Sequence, residues 1–306
     1  MPNTLGHLGV QAGITRILIK NADLKWISLG AVIPDVPWIV QRLAWSAPIT
    51  IPAYDLRLYV IVQSSLFFAL VLSAALAVLA RQPASTFAIL ALGSWLHLIL
   101  DAMETKWGNG VHFFAPVSWH QSSFALFWPE GLVTYLLSLA GVLAMIYAWK
   151  RMPVVPVILA RPPLGHCLLG ALLFLGYLGL PLLLMSAPQA ADNHYVKTLR
   201  MASERAGRTV EIDRPAYRKQ PHGSTLRIFT GEEFDVRGRE PPSSGTVSVQ
   251  GRFVDRNTLE IARYHAHPPG VRDAASYLGL TLVAAVWLRA LLRGASVKAP
   301  ARMSEG

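Results

Sequence analysis

A few ionisable residues lie inside hydrophobic stretches of this sequence. Asp35 follows Pro34 in the run LGAVIPDVPWIV, and His97 and Asp101 are four residues apart in LGSWLHLILDAM. An ionised group in apolar surroundings is costly, so such residues are rare unless they are paired, bind a metal or line a wet cavity. On a helix, an H-x-x-x-D pair places both side chains on one face, one turn apart. We therefore expect a site that holds a metal ion or a proton.

Side chains that follow this pair could complete the chemistry. Glu104 comes three residues after Asp101 and extends the same face into the loop 104–127, which is rich in aromatic and polar residues. We expect this loop to cover a pocket above Asp101, and its Gly-Asn-Gly turn lets backbone approach a ligand closely. Glu104 and His120 are the candidate general bases. An aromatic belt with a re-entrant loop is the alternative interpretation of the loop.

The same residues also have structural interpretations. His97 and Asp101 would suit a hydrogen-bonded pair between helices, and Asp35 after a proline could cap a half-helix. His265 and His267 are two residues apart on an expected strand and so share one face. Such a pair binds a metal only with a third partner, and a solvated strand face is the alternative.

Long apolar segments must position these residues. The chain has 306 residues, of which 53% are hydrophobic and 15% charged, and its mean hydropathy is +0.38. This composition excludes an ordinary soluble domain. Apolar stretches of about 20 residues match the hydrocarbon thickness of a bilayer. We expect five spans and a weaker sixth that prolines interrupt: 58–80, 86–103, 128–149, 164–186 and 274–293, with 26–45 as the weaker one.

Basic residues indicate the orientation of these spans. The net charge is +10, and its surplus lies beside the spans, near Lys20, Lys150 and Arg293. By the positive-inside rule these segments face the cytoplasm. We expect a multi-pass protein of the inner (plasma) membrane with both termini cytoplasmic and residues 187–273 outside. Membrane lipids are the expected surroundings, and nucleic acid is not an expected partner because topology accounts for the charge.

The sequence predicts a helical bundle interrupted by one soluble insert. In the insert, an amphipathic helix over 193–206 is followed by short alternating strands, and Gly251 lies where a long strand could bend. This pattern favours a small OB-like barrel. The fold class is an α-helical integral membrane protein with about six transmembrane helices and a small inserted α+β or β-barrel domain. The units are 1–186, a transmembrane bundle with the metal site; 187–273, the β-rich domain; and 274–306, the last span and a cytoplasmic tail.

Four short motifs follow one another within roughly residues 5–145. They are His7 with Gly9 and Gly13; Gly30 with Pro34 and Asp35; His97 with Asp101; and the stretch Trp107 to Val111 followed by Pro116. In order and spacing, this set resembles the YdjM-like family of membrane-bound, metal-dependent hydrolases. The resemblance implies a helical membrane fold and a divalent metal, zinc or manganese, held by His7, Asp35, His97 and Asp101.

This sequence departs from the family pattern in two places. The Pro-Asp element of the family is usually followed by a second acidic residue and a histidine, where this chain has Val-Pro-Trp at 36–38. Gln63 replaces the histidine of a Thr-His-Ser element, and an amide oxygen is a weak, neutral ligand. Either His112 or His120 supplies the missing ligand, or the site is degenerate.

Three functions follow from these patterns. The first is a metal-dependent hydrolase that acts on an ester or phosphoester near the membrane surface, with a lipid-linked substrate. The second is a catalytically degenerate anchor whose extracytoplasmic domain binds an envelope protein. The third is a proton relay or transporter, ranked last because the sequence shows no inverted repeat.

Overall fold

The computed structural model describes residues 3–47, 51–157 and 162–298. The end of the expected cytoplasmic tail, 299–306, lies outside these residues. The helices are α1 (Thr4–Leu18), α2 (Leu24–Gly30), α3 (Val36–Ser46), α4 (Ala53–Gln63), α5 (Leu66–Ala77), α6 (Pro83–Met103), α7 (Leu132–Arg151), α8 (Leu164–Leu184), α9 (Ser186–Ala190), α10 (Val196–Arg200) and α11 (Val271–Lys298). The strands are β1 (Thr209–Ile212), β2 (Ala216–Arg218), β3 (Ser224–Arg227), β4 (Glu233–Gly238), β5 (Gly245–Phe253) and β6 (Thr258–His267).

Four helical segments of the described chain are long and apolar enough to cross a membrane. They are α6, α7, Leu164–Ala190 and Arg272–Ala295. The helices α4 and α5 make a fifth candidate only as a pair, because they are bent by 69° at the break between them. The structure thus supports a membrane protein with four candidate spans, or five if the bent pair is one span. The expected count of about six is not reached.

The segment 26–45, expected as the weak sixth span, is broken in the structure. A 3-10 turn, Ile33–Asp35, separates α2 from α3. Pro34 and Pro37 have no N–H to donate to the preceding turn, so they favour a break in the helix at this point. The break leaves the Asp35 side chain buried among the helices, at 4% exposure for the residue.

Helix α1 runs parallel to α7. The Asn3 side chain, which precedes α1, donates a hydrogen bond of 2.5 Å to Ser138 Oγ on α7. Further along, a Cβ atom on Gly9 would lie only 2.1 Å from the Cα atom of Gly141. His7 therefore lies toward the end of the bundle that meets the barrel. The charge pattern predicted it at the opposite end; close packing through small residues fixes α1 instead.

The amphipathic helix predicted over 193–206 is not continuous. The structure has a 3-10 turn at Asn193–Tyr195, the short helix α10 and a second 3-10 turn at Ala202–Glu204. His194 and Tyr195 adopt positive φ angles of 53°. Left-handed backbone at non-glycine residues interrupts a right-handed helix, which explains the break.

The strands close into a small barrel, as predicted. β1 and β2 both pair antiparallel with β5 and together act as one interrupted strand. The sheet continues antiparallel through β3 to β4, which pairs in parallel with β6, and β6 returns antiparallel to β5. The register of β5 shifts between Gln250 and Gly251, and a Cβ on Gly251 would lie 2.4 Å from the Glu260 carbonyl oxygen. Gly251 therefore permits the expected bend.

The barrel has an apolar core of its own and packs against the bundle through polar contacts. Gly108 N, in the loop after α6, donates to Glu211 Oε2 at 2.7 Å, and Tyr54 Oη of α4 donates to the Leu199 carbonyl at 2.9 Å. These hydrogen bonds place the loop after α6 and the barrel over the same end of the bundle. The largest buried side chains of the barrel core include Tyr217, Phe234 and Phe253.

Candidate metal centre

The structure brings together the four residues that the resemblance implied as ligands. His97 and Asp101 come from α6, His7 from α1 and Asp35 from the turn before α3. His97 Nε2 lies 3.3 Å from Asp35 Oδ1 and 3.7 Å from Asp101 Oδ2. His7 Nε2 lies 3.5 Å from Asp101 Oδ1. Two imidazoles and two carboxylates thus face one another inside the protein.

A backbone carbonyl orients the central histidine. His97 Nδ1 lies 2.7 Å from the Ala31 carbonyl oxygen, which can only accept a hydrogen bond. Nδ1 therefore carries a proton, which leaves Nε2 as the ring nitrogen that faces the two carboxylates. This is the arrangement by which proteins fix the tautomer of a metal-binding histidine.

The donor atoms fit a divalent cation. Ligand atoms of His7, His97 and Asp101 all lie within 4.8 Å of one another. Within the described residues, both ring nitrogens of His7, His97 Nε2 and Asp101 Oδ1 are buried and have no hydrogen-bond partner. Leaving a buried polar atom unpaired costs about 1–3 kcal/mol. A bound cation would satisfy these atoms, and imidazole with carboxylate suits zinc or manganese.

Close contacts between glycines hold the helices that carry this cluster. A Cβ on Gly93 of α6 would lie 2.9 Å from the Cα of Gly30 on α2, beside the turn that carries Asp35. The contact between Gly9 and Gly141 likewise holds α1 close to α7. Gly93 and Gly141 are not among the residues predicted to matter, although a glycine inside an apolar helix is a usable signal for close helix packing.

Gln63 lies outside the cluster. Its Nε2 donates to Tyr59 Oη at 3.0 Å and to the Tyr177 carbonyl at 3.1 Å, at the bend between α4 and α5. The residue thus joins α4 to α8. The four clustered residues meet without a ligand from this position.

The two loop histidines do not reach the cluster either. His112 Nε2 accepts a hydrogen bond of 2.8 Å from Asn193 Nδ2, which fixes the ring beside the 3-10 turn. Burial, and secondarily the proximity of His120, lowers the pKa of His112 to about 4. His120 itself is exposed. Neither histidine forms an ion pair with the four clustered residues within the described chain, and the general-base role of His120 stays a prediction.

Glu104, the other candidate base, is buried and paired. Its Oε2 lies 3.2 Å from Lys106 Nζ, which also lies 3.4 Å from Asp101 Oδ1. Burial would lower the pKa of Lys106, but the carboxylates of Asp101 and Glu104 outweigh it and raise that pKa. Lys106 therefore stays charged and binds Glu104, so Glu104 is engaged rather than poised over the cluster.

A cavity of about 530 Å³ separates the bundle from the barrel. Asp101 lines it on the bundle side, and Lys106 lies beside Asp101. The buried cluster thus opens toward this cavity through a side chain that is 13% exposed. The remaining walls include α3, Arg57 of α4, the loop 106–112, the barrel segments 211–216 and 227–229, and the start of α11.

A second group of potential ligands joins the barrel to the residues before α7. Ligand atoms of Glu130, His265 and His267 lie within 4.8 Å of one another, which gives the histidine pair the third partner that the sequence did not show. Arg214 Nη1, however, lies 2.7 Å from Glu130 Oε1, and His267 Nε2 lies 2.8 Å from Ser248 Oγ. Glu130 Oε1 and both ring nitrogens of His267 already have hydrogen-bond partners, so we interpret this group as an ion-pair network.

Comparison of the chain with models of protein families, with curated proteins and with solved structures finds no match. The fold and the site define a class: a helical protein with candidate membrane spans, a small barrel and a buried histidine–aspartate cluster. Because a fold does not determine a function, the function has to be argued from the cluster itself.

Proposed function

We propose that the protein is a membrane-bound, metal-dependent hydrolase that acts on an ester or phosphoester at the bilayer surface. The observation that carries this proposal is the convergence of His7, Asp35, His97 and Asp101, several of whose ligand atoms have no hydrogen-bond partner among the described residues. When bound, a divalent ion would supply Lewis acidity and would make a water molecule acidic enough to react near neutral pH.

The residues of the chain supply the rest of the chemistry. Asp35 and Asp101 compensate positive charge in the interior, and they are the acceptors nearest His97 Nε2 for a proton released by a water molecule. His97 keeps one tautomer through the Ala31 carbonyl. Lys106, charged and beside Asp101, can donate a hydrogen bond to an anionic oxygen but cannot act as a base.

The position of the cluster supports a lipid-linked substrate. Asp101 is close to the end of α6, a candidate span, and faces a cavity that the barrel covers. A substrate anchored in the bilayer would bring its headgroup to this level without leaving the membrane.

Metal content of detergent-purified protein, measured by elemental mass spectrometry, tests the proposal. We expect about one equivalent of zinc or manganese per chain. The double variant His97→Ala/Asp101→Ala should lose the metal together with hydrolysis of ester and phosphoester probes. The matched control His166→Ala, at the start of α8, should keep both. Wild-type protein that takes up no metal after incubation with zinc and manganese would overturn the proposal.

A second candidate function is passage of protons or ions. Gln11 and Thr15 continue the face of α1 that carries His7, and both are fully buried. Within the described residues, their side-chain polar atoms have no hydrogen-bond partner. Liposomes containing the protein should then show a proton leak that Gln11→Leu abolishes. The binding-anchor alternative rests on the missing histidine and on the insert between the last two spans, and the position of Gln63 does not decide it.

A further inference from the structure

The cavity between the bundle and the barrel carries more cationic than anionic side chains. An excess of positive charge in a partly enclosed space attracts anions and raises their local concentration. The cationic residues in its walls are Arg42, Arg57, Lys106, Arg214, Arg227 and Arg272, and the acidic ones are Asp101, Glu211, Asp213 and Asp273.

Three of these cations have no carboxylate in direct contact. Lys106 pairs with Asp101, and Arg214 pairs with Glu130. In contrast, no ion pair or side-chain hydrogen bond joins the guanidinium of Arg42, Arg57 or Arg227 to any other described residue, and the Asp213 carboxylate attracts Arg57 only from farther away. These groups lie on α3, on α4 and at the end of β3, so they approach the cavity from both the bundle and the barrel.

Aromatic rings hold the guanidinium of Arg57 in the cavity wall. Its Cζ atom lies 4.2 Å from the ring centroid of Phe229, 5.3 Å from that of Trp38 and 5.5 Å from that of Trp45. Cation–π contacts fix the group and leave its N–H donors unused, and Nε is buried without a partner. A fixed, unpaired guanidinium presents the fork of donors that matches a phosphate group.

Helix α3 separates this cavity from the outside. Trp38, Gln41 and Arg42 line the cavity. Val40 and Leu43 point away from it and are 55% and 64% exposed. A helix with an apolar outer face and a cationic, aromatic inner face suits the boundary between acyl chains and headgroups.

We propose that Arg57, together with Arg42 and Arg227, binds the phosphate group of a membrane lipid whose acyl chains lie along the outer face of α3. The inference rests on the proposed function and narrows it, because it makes the substrate a phosphoester whose phosphate lies in the same cavity as Asp101. The lipid, rather than a soluble phosphate compound, follows from the exposed apolar face beside the arginines.

The test is binding of short-chain phosphatidic acid to the full chain in detergent, in the presence of a chelator. Trp38 and Trp45 flank Arg57, so tryptophan fluorescence reports occupancy. Arg57→Gln should weaken binding by about tenfold to a hundredfold. The lipid affinity of Arg57→Lys should fall between those of the wild type and Arg57→Gln, because lysine keeps the charge but lacks the forked donors of the guanidinium. The matched control Arg200→Gln, in an exposed ion pair with Asp55, should bind like the wild type.

Several results would overturn the inference. One is equal binding of phosphatidic acid and uncharged diacylglycerol; another is competition by inorganic phosphate as effective as that by the lipid, which would indicate a soluble ligand. Arg227→Gln, in the barrel, is a second variant in case Arg57→Gln does not fold. Lipid binding that is unchanged in both folded variants would also contradict the site. The lipid assay contains a chelator, so its result does not depend on the metal assay described above. Lipid binding by a protein that takes up no metal would refute only the hydrolase. Metal uptake by a protein that does not bind the lipid would refute only this inference.

Discussion

The imidazole rings of His7 and His97 stack face to face, with centroids 3.9 Å apart and planes within 10° of parallel. Their Nε2 atoms face different oxygens of the same carboxylate, that of Asp101. Two stacked imidazolium rings would repel each other in a buried site, whereas two neutral rings can offer two lone pairs to one cation. The stack thus joins α1, which carries His7, to α6, which carries His97 and Asp101.

The contact between Gly9 and Gly141 should control this stack. Gly9→Ala places a Cβ 2.1 Å from the Gly141 Cα, so α1 has to move away from α7 and carry His7 with it. We expect a loss of about 1–3 kcal/mol of stability and reduced metal uptake. Thermal unfolding and elemental analysis in detergent measure both. The matched control Gly13→Ala meets nothing within 4 Å and should be neutral. Equal behaviour of the two variants would contradict the role of the contact.

The sequence predicted the barrel and most of the spans because those signals are local. Alternation of apolar residues over 245–255 predicted the long strand β5, and Gly251 marked its bend. The segment 58–80 was apolar enough for a span, but hydropathy does not report the 69° bend between α4 and α5. Nor did the charges at Lys20 and Lys25 show that the start of α1 lies beside α7, because that packing depends on Gly141, more than a hundred residues away.

The site was predictable only in part for the same reason. The i, i+4 spacing showed that His97 and Asp101 share a face, and the family resemblance added His7 and Asp35. Whether these pairs meet is a tertiary property that no local pattern encodes. The partners of His265 and His267 were not found because Glu130 is separated from them by the whole of α7, α8 and most of the insert.

Glu130 should make the docking of the barrel sensitive to acid. Burial would raise its pKa, but hydrogen bonds from His265, His267 and Arg214 outweigh this and hold the pKa of the carboxyl below its ordinary value. A lowered folded-state pKa gives stability that is complete above the unfolded value, about 4.3, and is lost as the pH falls toward the folded one. Glu130→Gln should lower the free energy of unfolding by about 1.5–3 kcal/mol at neutral pH. The difference from the wild type should become smaller below about pH 5.

Tryptophan fluorescence during thermal unfolding measures this effect, because Trp128 stacks on His265 at 3.7 Å. Glu233→Gln is the matched control, since its pair with Arg218 is 3.7 Å long and exposed. Surface pairs contribute about 0–1 kcal/mol, so the control should follow the wild type. An unchanged acid profile in Glu130→Gln would show that the network does not stabilise the fold.

His112 should act in a different pH range. Burial is the main reason that the pKa of this histidine falls to about 4, below the unfolded value of about 6.5. Between these values the unfolded chain binds a proton that the folded chain does not, so stability falls as the pH decreases through this range. His112→Gln removes the titration and should flatten the slope by up to about 1.4 kcal/mol per pH unit. His222→Gln, in the exposed turn between β2 and β3, should retain the wild-type slope, and a flattened slope there as well would refute a specific effect of His112.

Lys106 distinguishes a metal centre from a structural ion-pair cluster. Its ammonium lies 3.4 Å from Asp101 Oδ1, the oxygen that also faces His7, and therefore competes electrostatically with any cation bound there. Lys106→Gln removes that repulsion, so we expect zinc affinity, measured by competition with a chelator, to increase by about tenfold or more. Lys219→Gln, on the exposed surface of the barrel, should leave the affinity unchanged. In a purely structural cluster the Lys106 ammonium would instead be a stabilising partner of Asp101. The variant would then unfold at lower temperature and bind zinc no better than the wild type, and that result would refute the metal centre.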